Sequence, residues 1–146
     1  MGALKIITLN VRGLGNWRKR QFLAEFFVAN KIDVCLLQET HVSSKFIADS
    51  WVKIWGGKCF WSFGTIRSRG VGIWFKKDLN FETINISNDS EGRLLSILVN
   101  FNDNYKIKFI NIYAPVIPRD RRDFFGNILQ YLSGPHPTVL GGTLIV

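Results

Sequence analysis

Three polar side chains at the ends of three separate apolar runs could take part in phosphate or metal chemistry. They are Asn10, Glu39 and Tyr113. A carboxylate and an amide oxygen are hard ligands of the kind that Mg²⁺ prefers, and a tyrosine hydroxyl can hydrogen-bond a phosphate oxygen. Because the carboxyl ends of parallel strands meet at one edge of a sheet, these residues are expected to lie close together if their runs are strands. The alternative is that each is a polar residue that simply ends its strand.

The pattern of apolar residues predicts the elements that would position these side chains. Apolar runs at 4–9 and 33–38 predict buried strands, and helical spacing over 17–30 predicts a helix between them with Asn16 as its N-cap. After a further helix within 43–56, the hydrophobic period changes to two. The remaining predicted elements are strands at 58–63, 70–75, 82–86, 93–101 and 105–113, a helix at 120–132 and a strand from 138.

The order of these elements favours one α/β domain over residues 1–146. A βαβ start, a β-rich middle and an αβ end fit a sheet covered by helices. Asn102-Asp103-Asn104 is a turn signal, which predicts that the strands at 93–101 and 105–113 form a hairpin. The final strand has no later element in this sequence to cover it.

The charge of the chain points to a polyanionic partner. The 146 residues contain 19 Lys and Arg against 11 Asp and Glu, a formal net charge of +8. Residues 1–77 hold 13 of the basic and 4 of the acidic residues, whereas the rest of the chain is close to neutral. Since nucleic acids are bound chiefly through their phosphates, we expect a binding face to draw on the first half of the chain.

Two basic clusters are candidates for DNA contacts. One lies at the start of the first predicted helix, where the helix dipole disfavours cations, and the other lies between two predicted strands. The candidate residues are Trp17, Arg18, Lys19, Arg20, Arg67 and Arg69. Trp17 could stack on a base. The alternative for both clusters is a solvated surface.

The cysteines, histidines and apolar runs indicate what the protein is not. Cys35 and Cys59 lie in apolar surroundings, which favours buried free thiols over a disulfide. His41 could join a metal shell, but its position also suits an ordinary loop residue. No run approaches 18 apolar residues and no signal peptide is visible, so we expect no membrane span and a nuclear or cytoplasmic rather than secreted protein.

Five short motifs, taken together, resemble a known family. They are 7–14 (ITLNVRGL), 36–41 (LLQETH), 70–73 (GVGI), 91–93 (EGR) and 111–115 (NIYAP). In this order they are similar to the endonuclease domain of long interspersed element (LINE) retrotransposons, which belongs to the exonuclease–endonuclease–phosphatase superfamily. The resemblance covers residues 4 to about 142.

The resemblance implies a four-layer α/β sandwich, in which two packed β-sheets have helices outside. It implies Mg²⁺-dependent hydrolysis of a DNA phosphodiester, which nicks one strand at the target site. By resemblance, Glu39 is the metal-binding carboxylate, Asn10 helps to hold the metal or the scissile phosphate, and Tyr113 orients that phosphate.

The chain departs from the family pattern at its last motif. Where the family has Gly-Asp-x-Asn, this sequence has Thr143 in place of the aspartate and Ile145 in place of the asparagine. The family's later Asp-His motif is absent from the 146 residues. We therefore expect a fold that is incomplete at its C-terminus and an activity that is impaired or lost, in a truncated gene product or part of a longer retrotransposon protein.

These departures leave three alternatives to an endonuclease. The first is a basic remnant that binds DNA without cutting it, the second a fragment with no molecular function, and the third a phosphatase of the same superfamily. Without the strands that the family's C-terminal half contributes to each sheet, strands such as 93–101 and 105–113 are expected to show apolar faces or unpaired edges to water. The resulting expectation is aggregation or self-association through exposed strand edges.

Overall fold

The computed structural model of the protein describes residues 2–102 and 105–144. Within these ranges eight strands and three helices follow one another in the predicted order. The elements are β1 (Ile6–Asn10), α1 (Trp17–Ala29), β2 (Val34–Gln38), α2 (Lys45–Trp55), β3 (Lys58–Ser62), β4 (Val71–Phe75), β5 (Phe81–Asn88), β6 (Leu94–Phe101), β7 (Tyr105–Tyr113), α3 (Pro118–Leu132) and β8 (Thr138–Thr143). The Asn16 side chain accepts a hydrogen bond from the Arg18 backbone N–H at 2.9 Å, which confirms the predicted N-cap.

The strands form two four-stranded sheets. The first has the order β1-β2-β4-β3, with β1 parallel to β2 and the other two pairs antiparallel. The second has the order β5-β6-β7-β8, in which only β7 and β8 run parallel. The antiparallel pairing of β6 with β7 confirms the predicted hairpin, although Asp103 and Asn104 of its predicted turn lie outside the described residues.

A core of aliphatic and aromatic side chains fills the space between the two sheets. Leu36 and Ile73 of the first sheet pack against the same cluster as Ile97 of the second. The rings of Phe75 and Phe109 meet edge to face across the sheets, with centroids 5.5 Å apart. Each fully buried side chain of this size contributes roughly 1.5–3 kcal/mol to the free energy of unfolding.

Helices cover the outer face of each sheet. On the first sheet, α1 places Phe27 in a stacked contact with Trp74 of β4, with ring centroids 4.5 Å apart, and α2 adds Trp51 and Trp55 to the same cluster. On the second sheet, Ile128 of α3 packs against a cluster from β6 and β7. The layers therefore follow the order helices, sheet, sheet, helix, and the predicted four-layer α/β sandwich is confirmed.

The two strands expected to be left open are instead central. β6 and β7 each pair with a neighbour on both sides, and most of their residues are buried, so the expectation of open edges at 93–101 and 105–113 is wrong. The reason is that β5 and β8 take the outer positions of this sheet. The outer strands do carry exposed apolar side chains, at Ile84 and Ile86 of β5 and Leu140 of β8. Self-association through such edges stays a prediction.

Both cysteines are free, as predicted. Burial raises the pKa of the Cys35 thiol well above its usual value. No helix in the described part of the chain has the length and apolarity needed to cross a bilayer.

Candidate active site at one edge of the sandwich

Four residues from four strand ends meet at one edge of the sandwich. Asn10 ends β1, Glu39 follows β2, Tyr113 ends β7 and Thr143 ends β8. Because β1 runs parallel to β2 and β7 runs parallel to β8, each sheet brings two carboxyl ends to the same edge. The structure thus brings Asn10, Glu39 and Tyr113 together, and it adds Thr143. We call these four residues the strand-end network.

The strand-end network is joined by side-chain hydrogen bonds that cross between the sheets. Asn10 Nδ2 donates to Glu39 Oε1 at 3.1 Å and to Thr143 Oγ1 at 3.0 Å. The Tyr113 hydroxyl hydrogen-bonds the Glu39 side chain. Residues from distant parts of the chain are therefore held as one polar group, which is only partly exposed to solvent.

A buried pair of amides supports this network from beneath. Gln38 Nε2 donates to Asn111 Oδ1 at 2.8 Å, and Asn111 Nδ2 donates to the backbone carbonyls of Leu37 and Gly72. The Thr143 hydroxyl donates to Gln38 Oε1 at 3.3 Å, which links the pair to the strand-end network. An unpaired buried polar group costs about 1–3 kcal/mol, so this amide pair fixes the register in which the two sheets meet.

Sequence reasoning assigned no role to the amide pair. Gln38 and Asn111 lie within the quoted motifs, but they were read only as parts of strands. The available signal was an amide within a buried strand, for Asn111, or at the end of one, for Gln38. Such a residue needs hydrogen-bond partners inside the core.

The loops that carry the site have unusual backbone geometry. Arg12, Glu39, His41 and Arg69 all have positive φ angles, between 49° and 62°. Residues other than glycine adopt this left-handed region at a cost of order 1–2 kcal/mol each. Backbone hydrogen bonds between the loops hold them there, among them one from Gly13 N–H to the Glu39 carbonyl at 2.6 Å. Strain of this kind is typical of functional sites.

His41 lies in the same loops and has a packing role. A Cβ on Gly13 would approach His41 Nδ1 to 2.6 Å, so the imidazole lies directly against this glycine. The position needs glycine for this close approach and for its φ of 84°. The contact favours the loop-residue interpretation of His41.

Two charged neighbours act on the Tyr113 hydroxyl in opposite directions. Burial raises the pKa of Tyr113, and the hydrogen bond and negative charge of Glu39 raise it further, whereas Arg93 lowers it. The Arg93 guanidinium lies 5.3 Å from the centre of the Tyr113 ring and donates from Nη1 to the Tyr113 carbonyl at 3.2 Å. Because the raising effects dominate, the hydroxyl stays protonated at neutral pH and can donate a hydrogen bond.

The basic start of α1 divides into two kinds of residue. Lys19 Nζ donates to the Val11 and Gly13 carbonyls at 2.8 and 2.9 Å. Arg20 Nε donates to the Leu14 carbonyl at 2.7 Å, and its guanidinium lies over the Trp51 ring. These two cations hold the loop after β1.

Trp17 and Arg18 make no comparable contact with that loop. Both side chains are exposed, and the Arg18 guanidinium lies 5.7 Å from the centre of the Trp17 ring. Arg67 is likewise exposed, and Arg69 is half-buried, in the loop between β3 and β4. DNA contacts by the six predicted residues stay predictions, and the exposed members are the ones free to make them.

The donor atoms of the network are compatible with a magnesium ion. Mg²⁺ is usually held by one or two carboxylates, with water and phosphate oxygens completing the shell. Glu39 offers a carboxylate. Asn10 Oδ1 accepts one hydrogen bond, from the Arg12 backbone N–H at 3.1 Å, and retains a second lone pair. No three His, Cys, Asp or Glu side chains gather around one point in the described residues, so the protein itself would supply few of the ligands.

Residues 7–142 match the sequence profile of the Endonuclease/Exonuclease/phosphatase family. The chain belongs to this family. The match includes Asn10, Glu39 and Tyr113 and stops one residue before Thr143. It spans elements of all four layers, so the family relationship and the observed fold agree.

A transposon protein is among the relatives of this family member. The Transposon TX1 uncharacterized 149 kDa protein of Xenopus laevis is 31% identical over 131 residues, which are 90% of this chain and 10% of that protein. Together with the family match, this confirms the predicted relationship to LINE-type retrotransposon endonuclease domains. The chain therefore corresponds to a small part of its transposon relative.

Solved structures of the family share the fold at low sequence identity. The AP endonuclease LMAP from Leishmania major has a TM-score of 0.71 at 24% identity, covering 95% of this chain and 54% of its own. The mannosyl-6-phosphatase Bt3783 of Bacteroides thetaiotaomicron has a TM-score of 0.73 at 10% identity, covering 96% and 64%. D. rerio TDP2, complexed with a single strand DNA product, has a TM-score of 0.70 at 18% identity, covering 94% and 58%. At these identities the likeness establishes the fold, and this chain spans 54 to 64% of those three chains.

Proposed function

We propose that this domain binds DNA with one phosphodiester at the strand-end network, as a LINE-type endonuclease domain with an impaired Mg²⁺-dependent nicking activity. The observation that carries the proposal is the hydrogen-bonded convergence of Asn10, Glu39 and Tyr113 at one edge of the sandwich. The family membership, the transposon relative and the excess of basic residues in the first half of the chain support it.

Each residue of the network has a distinct role in this proposal. Glu39 and Asn10 Oδ1 would hold the ion, which when bound neutralises negative charge on the phosphate. With DNA bound, the protonated Tyr113 hydroxyl would exchange its hydrogen bond to Glu39 for one to a phosphate oxygen, and Arg93 behind the Tyr113 ring adds positive charge near it. Asn10 Nδ2 keeps the Glu39 carboxylate in position.

Thr143 is the reason to expect impaired activity. It stands where the family has an aspartate, and its hydroxyl accepts from Asn10 and donates to Gln38. A hydroxyl can replace the hydrogen bonds of a carboxylate, but it supplies neither a negative charge for a metal nor a general base. A positioned general acid or base contributes about 10²–10⁴-fold to a rate, so its loss leaves a slow enzyme.

The same substitution favours a second candidate function, which is DNA binding without hydrolysis. The phosphate-facing Tyr113 and the exposed Arg18 and Arg67 do not depend on a second carboxylate. Because this chain has threonine at position 143 where the family has an aspartate, the site also lacks a negative charge that would repel DNA. The site is therefore also consistent with a basic module that binds DNA without hydrolysing it.

Relaxation of supercoiled plasmid in the presence of Mg²⁺ tests the proposal and separates the two candidates. We expect slow nicking that Glu39→Gln abolishes and that Glu25→Gln, a matched change at an exposed glutamate of α1, leaves intact. DNA retention in a gel-shift assay without nicking would support the binding module instead. A folded sample that neither binds nor nicks DNA would contradict both, and hydrolysis of phosphomonoesters would favour the phosphatase alternative.

A further inference from the structure

A polar cavity lies against the outer face of the second sheet, on the side away from the core between the sheets. Its floor is formed by β5, β6 and β7, and its wall by the end of α3 and the loop that leads to β8. It has a volume of about 270 Å³. We call it the α3 cavity, and its polar lining includes Asn85, Ser87, Ser96, Lys108, Tyr131 and His136.

The cavity exists because α3 covers only part of this sheet. The apolar cluster beneath α3 is formed by Leu94 of β6 and by Ile110 and Ile112 of β7. The polar residues of β5 lie beyond that cluster, where Asn85 is exposed and Ser87 is half-buried. A space therefore stays open between the carboxyl end of the helix and the sheet.

The Ser96 hydroxyl is a buried polar group without a partner in the described part of the protein. Only 7% of this residue is exposed, and it lines the cavity. Ser87 lies directly opposite Ser96 in the β5–β6 ladder, yet no side-chain hydrogen bond joins the two serines or links either of them to another described residue. Since buried hydroxyl groups normally have a hydrogen-bond partner, these serines point to a ligand that supplies one.

Lys108 fixes a positive charge at the same cavity. Its Nζ donates to the carbonyls of Tyr131 and Ser133, at 2.9 and 3.1 Å, just where α3 ends. An ammonium group has three N–H donors, so one remains for a ligand. Among the described residues that line the cavity none is acidic, and none forms an ion pair with Lys108. The cavity therefore favours an anion.

The remaining lining groups suit an anion with several oxygen atoms. The side chains of Asn85, Tyr131 and His136 can each donate a hydrogen bond, as the two serines can. A phosphate group accepts several such bonds and carries the charge that Lys108 balances. A water molecule takes up about 30 Å³ in the liquid, so the cavity also has room for a small organic group attached to the phosphate. The backbone of a DNA duplex continues in both directions and does not fit a cavity that α3 closes on one side.

We propose that the α3 cavity binds the phosphate group of a small phosphomonoester, with Lys108 and Ser96 in contact with the phosphate oxygens. This site is separate from the strand-end network. Lys108 precedes Tyr113 by five residues on β7, which is about 17 Å, and their side chains leave opposite faces of the sheet. The proposal therefore does not depend on the proposed DNA function.

The two histidines of the chain provide one NMR probe for each site. His136 lines the α3 cavity, and His41 lies in the loops of the candidate active site. Inorganic phosphate, ribose 5-phosphate and ribose are titrated into the 146-residue protein at constant pH and ionic strength. We expect both phosphate compounds to shift the His136 ring signals until they saturate, and ribose to leave them unchanged. Tighter binding of ribose 5-phosphate assigns the site to a phosphomonoester, and equal binding assigns it to the phosphate ion.

Two variants test the contacts. Lys108→Met is expected to weaken phosphate binding at His136 about tenfold or more, because it removes a charged hydrogen bond. Ser96→Ala is expected to weaken it about fivefold. Since the Ser96 hydroxyl has no described partner to lose, Ser96→Ala leaves the fold intact even if Lys108→Met unfolds the end of α3.

Lys106→Met is the matched control. Lys106 lies two residues before Lys108 on the same face of β7 and is not among the residues that line the cavity, so its replacement removes the same charge and leaves binding unchanged. The proposal is wrong if neither phosphate compound shifts the His136 signals, if ribose shifts them equally, or if Ser96→Ala binds as tightly as the wild type. It is also wrong if only duplex DNA shifts them, since the cavity would then belong to a DNA-binding surface.

Discussion

The strand-end network and the basic start of α1 relate to the sequence in opposite ways. Asn10, Glu39 and Thr143 are far apart along the chain, yet the Asn10 side chain is hydrogen-bonded to both of the other two. Lys19 and Arg18 are adjacent, yet one holds a loop and the other is exposed. The comparison teaches that a run of like charges is not by itself a binding surface, because a long cationic side chain can be needed by nearby backbone carbonyls.

The largest expected effect comes from breaking the amide pair beneath the network. Asn111→Ala removes the hydrogen bond that Asn111 accepts from Gln38 and the two that it donates to the carbonyls of Leu37 and Gly72, at a cost of roughly 3 kcal/mol or more. For a domain of this size the midpoint of thermal unfolding then falls by about 6–12 °C. Calorimetry measures this, with Asn85→Ala on the exposed face of β5 as the control. An unchanged midpoint would mean that the amide pair does not hold the sheets together.

The next largest effect is expected from placing a carboxylate at Thr143, the fourth residue of the strand-end network. Thr143→Asp places a negative charge beside Asn10 and Glu39, and we expect Mg²⁺-dependent nicking to rise about tenfold or more. Thr143→Asn is the control, since it has the same shape without the charge. Plasmid relaxation at several Mg²⁺ concentrations measures the change. Equal rates for the two variants would show that Thr143 is not the limiting position.

A smaller effect separates the two kinds of cation on α1. Lys19→Ala removes the hydrogen bonds from Lys19 Nζ to the carbonyls of the loop after β1. We expect it to lower the free energy of unfolding by about 1 kcal/mol while leaving the salt slope of DNA binding nearly unchanged. Arg18→Ala is expected to do the reverse, lowering the salt slope by about one at constant stability. Chemical denaturation and binding titrations at several salt concentrations measure both. The reverse outcome would restore Lys19 as a phosphate contact.

The smallest expected effect concerns the Tyr113 pKa. Arg93→Met removes the positive charge that lowers the Tyr113 pKa, so this variant is expected to raise that pKa further. Glu39→Gln removes the negative charge that raises the Tyr113 pKa, so this variant is expected to lower it. Ultraviolet titration of the phenol measures both shifts, with Tyr105 and Tyr131 changed to Phe so that Tyr113 alone is observed. A shift in the same direction for both variants would contradict the arrangement of the two charges.

The same pKa shift predicts how stability depends on pH. Because folding raises the Tyr113 pKa, its contribution to stability is fully present below about pH 10, the value of an unfolded tyrosine, and is lost as the pH rises through the folded value. The free energy of unfolding is therefore expected to fall above about pH 10. Tyr113→Phe should make this fall in the free energy of unfolding smaller. Chemical denaturation of both proteins at pH 9 and pH 11 measures the difference.

Much of the fold could be predicted from the sequence because its signals are local. Period-two alternation over 105–113 gave a strand that the structure has at Tyr105–Tyr113, and Asn16 was identified as a cap by its side chain alone. The third helix begins two residues earlier than predicted, at Pro118, because proline is favoured in the first turn of a helix. Such features depend on neighbouring residues and on backbone preferences.

By itself, the sequence determined the elements, the family and the residues that carry the chemistry, because spacing and residue type are enough to recognise them. Tertiary structure alone decided which strands lie at the centre of each sheet, the pairing of Gln38 with Asn111, and the different uses of Lys19 and Arg18. These depend on side chains and carbonyls that meet across the sandwich from positions far apart in the chain. Hydrophobic burial acts in every direction, so it can close the two sheets, but only directional hydrogen bonds between specific partners fix how they meet.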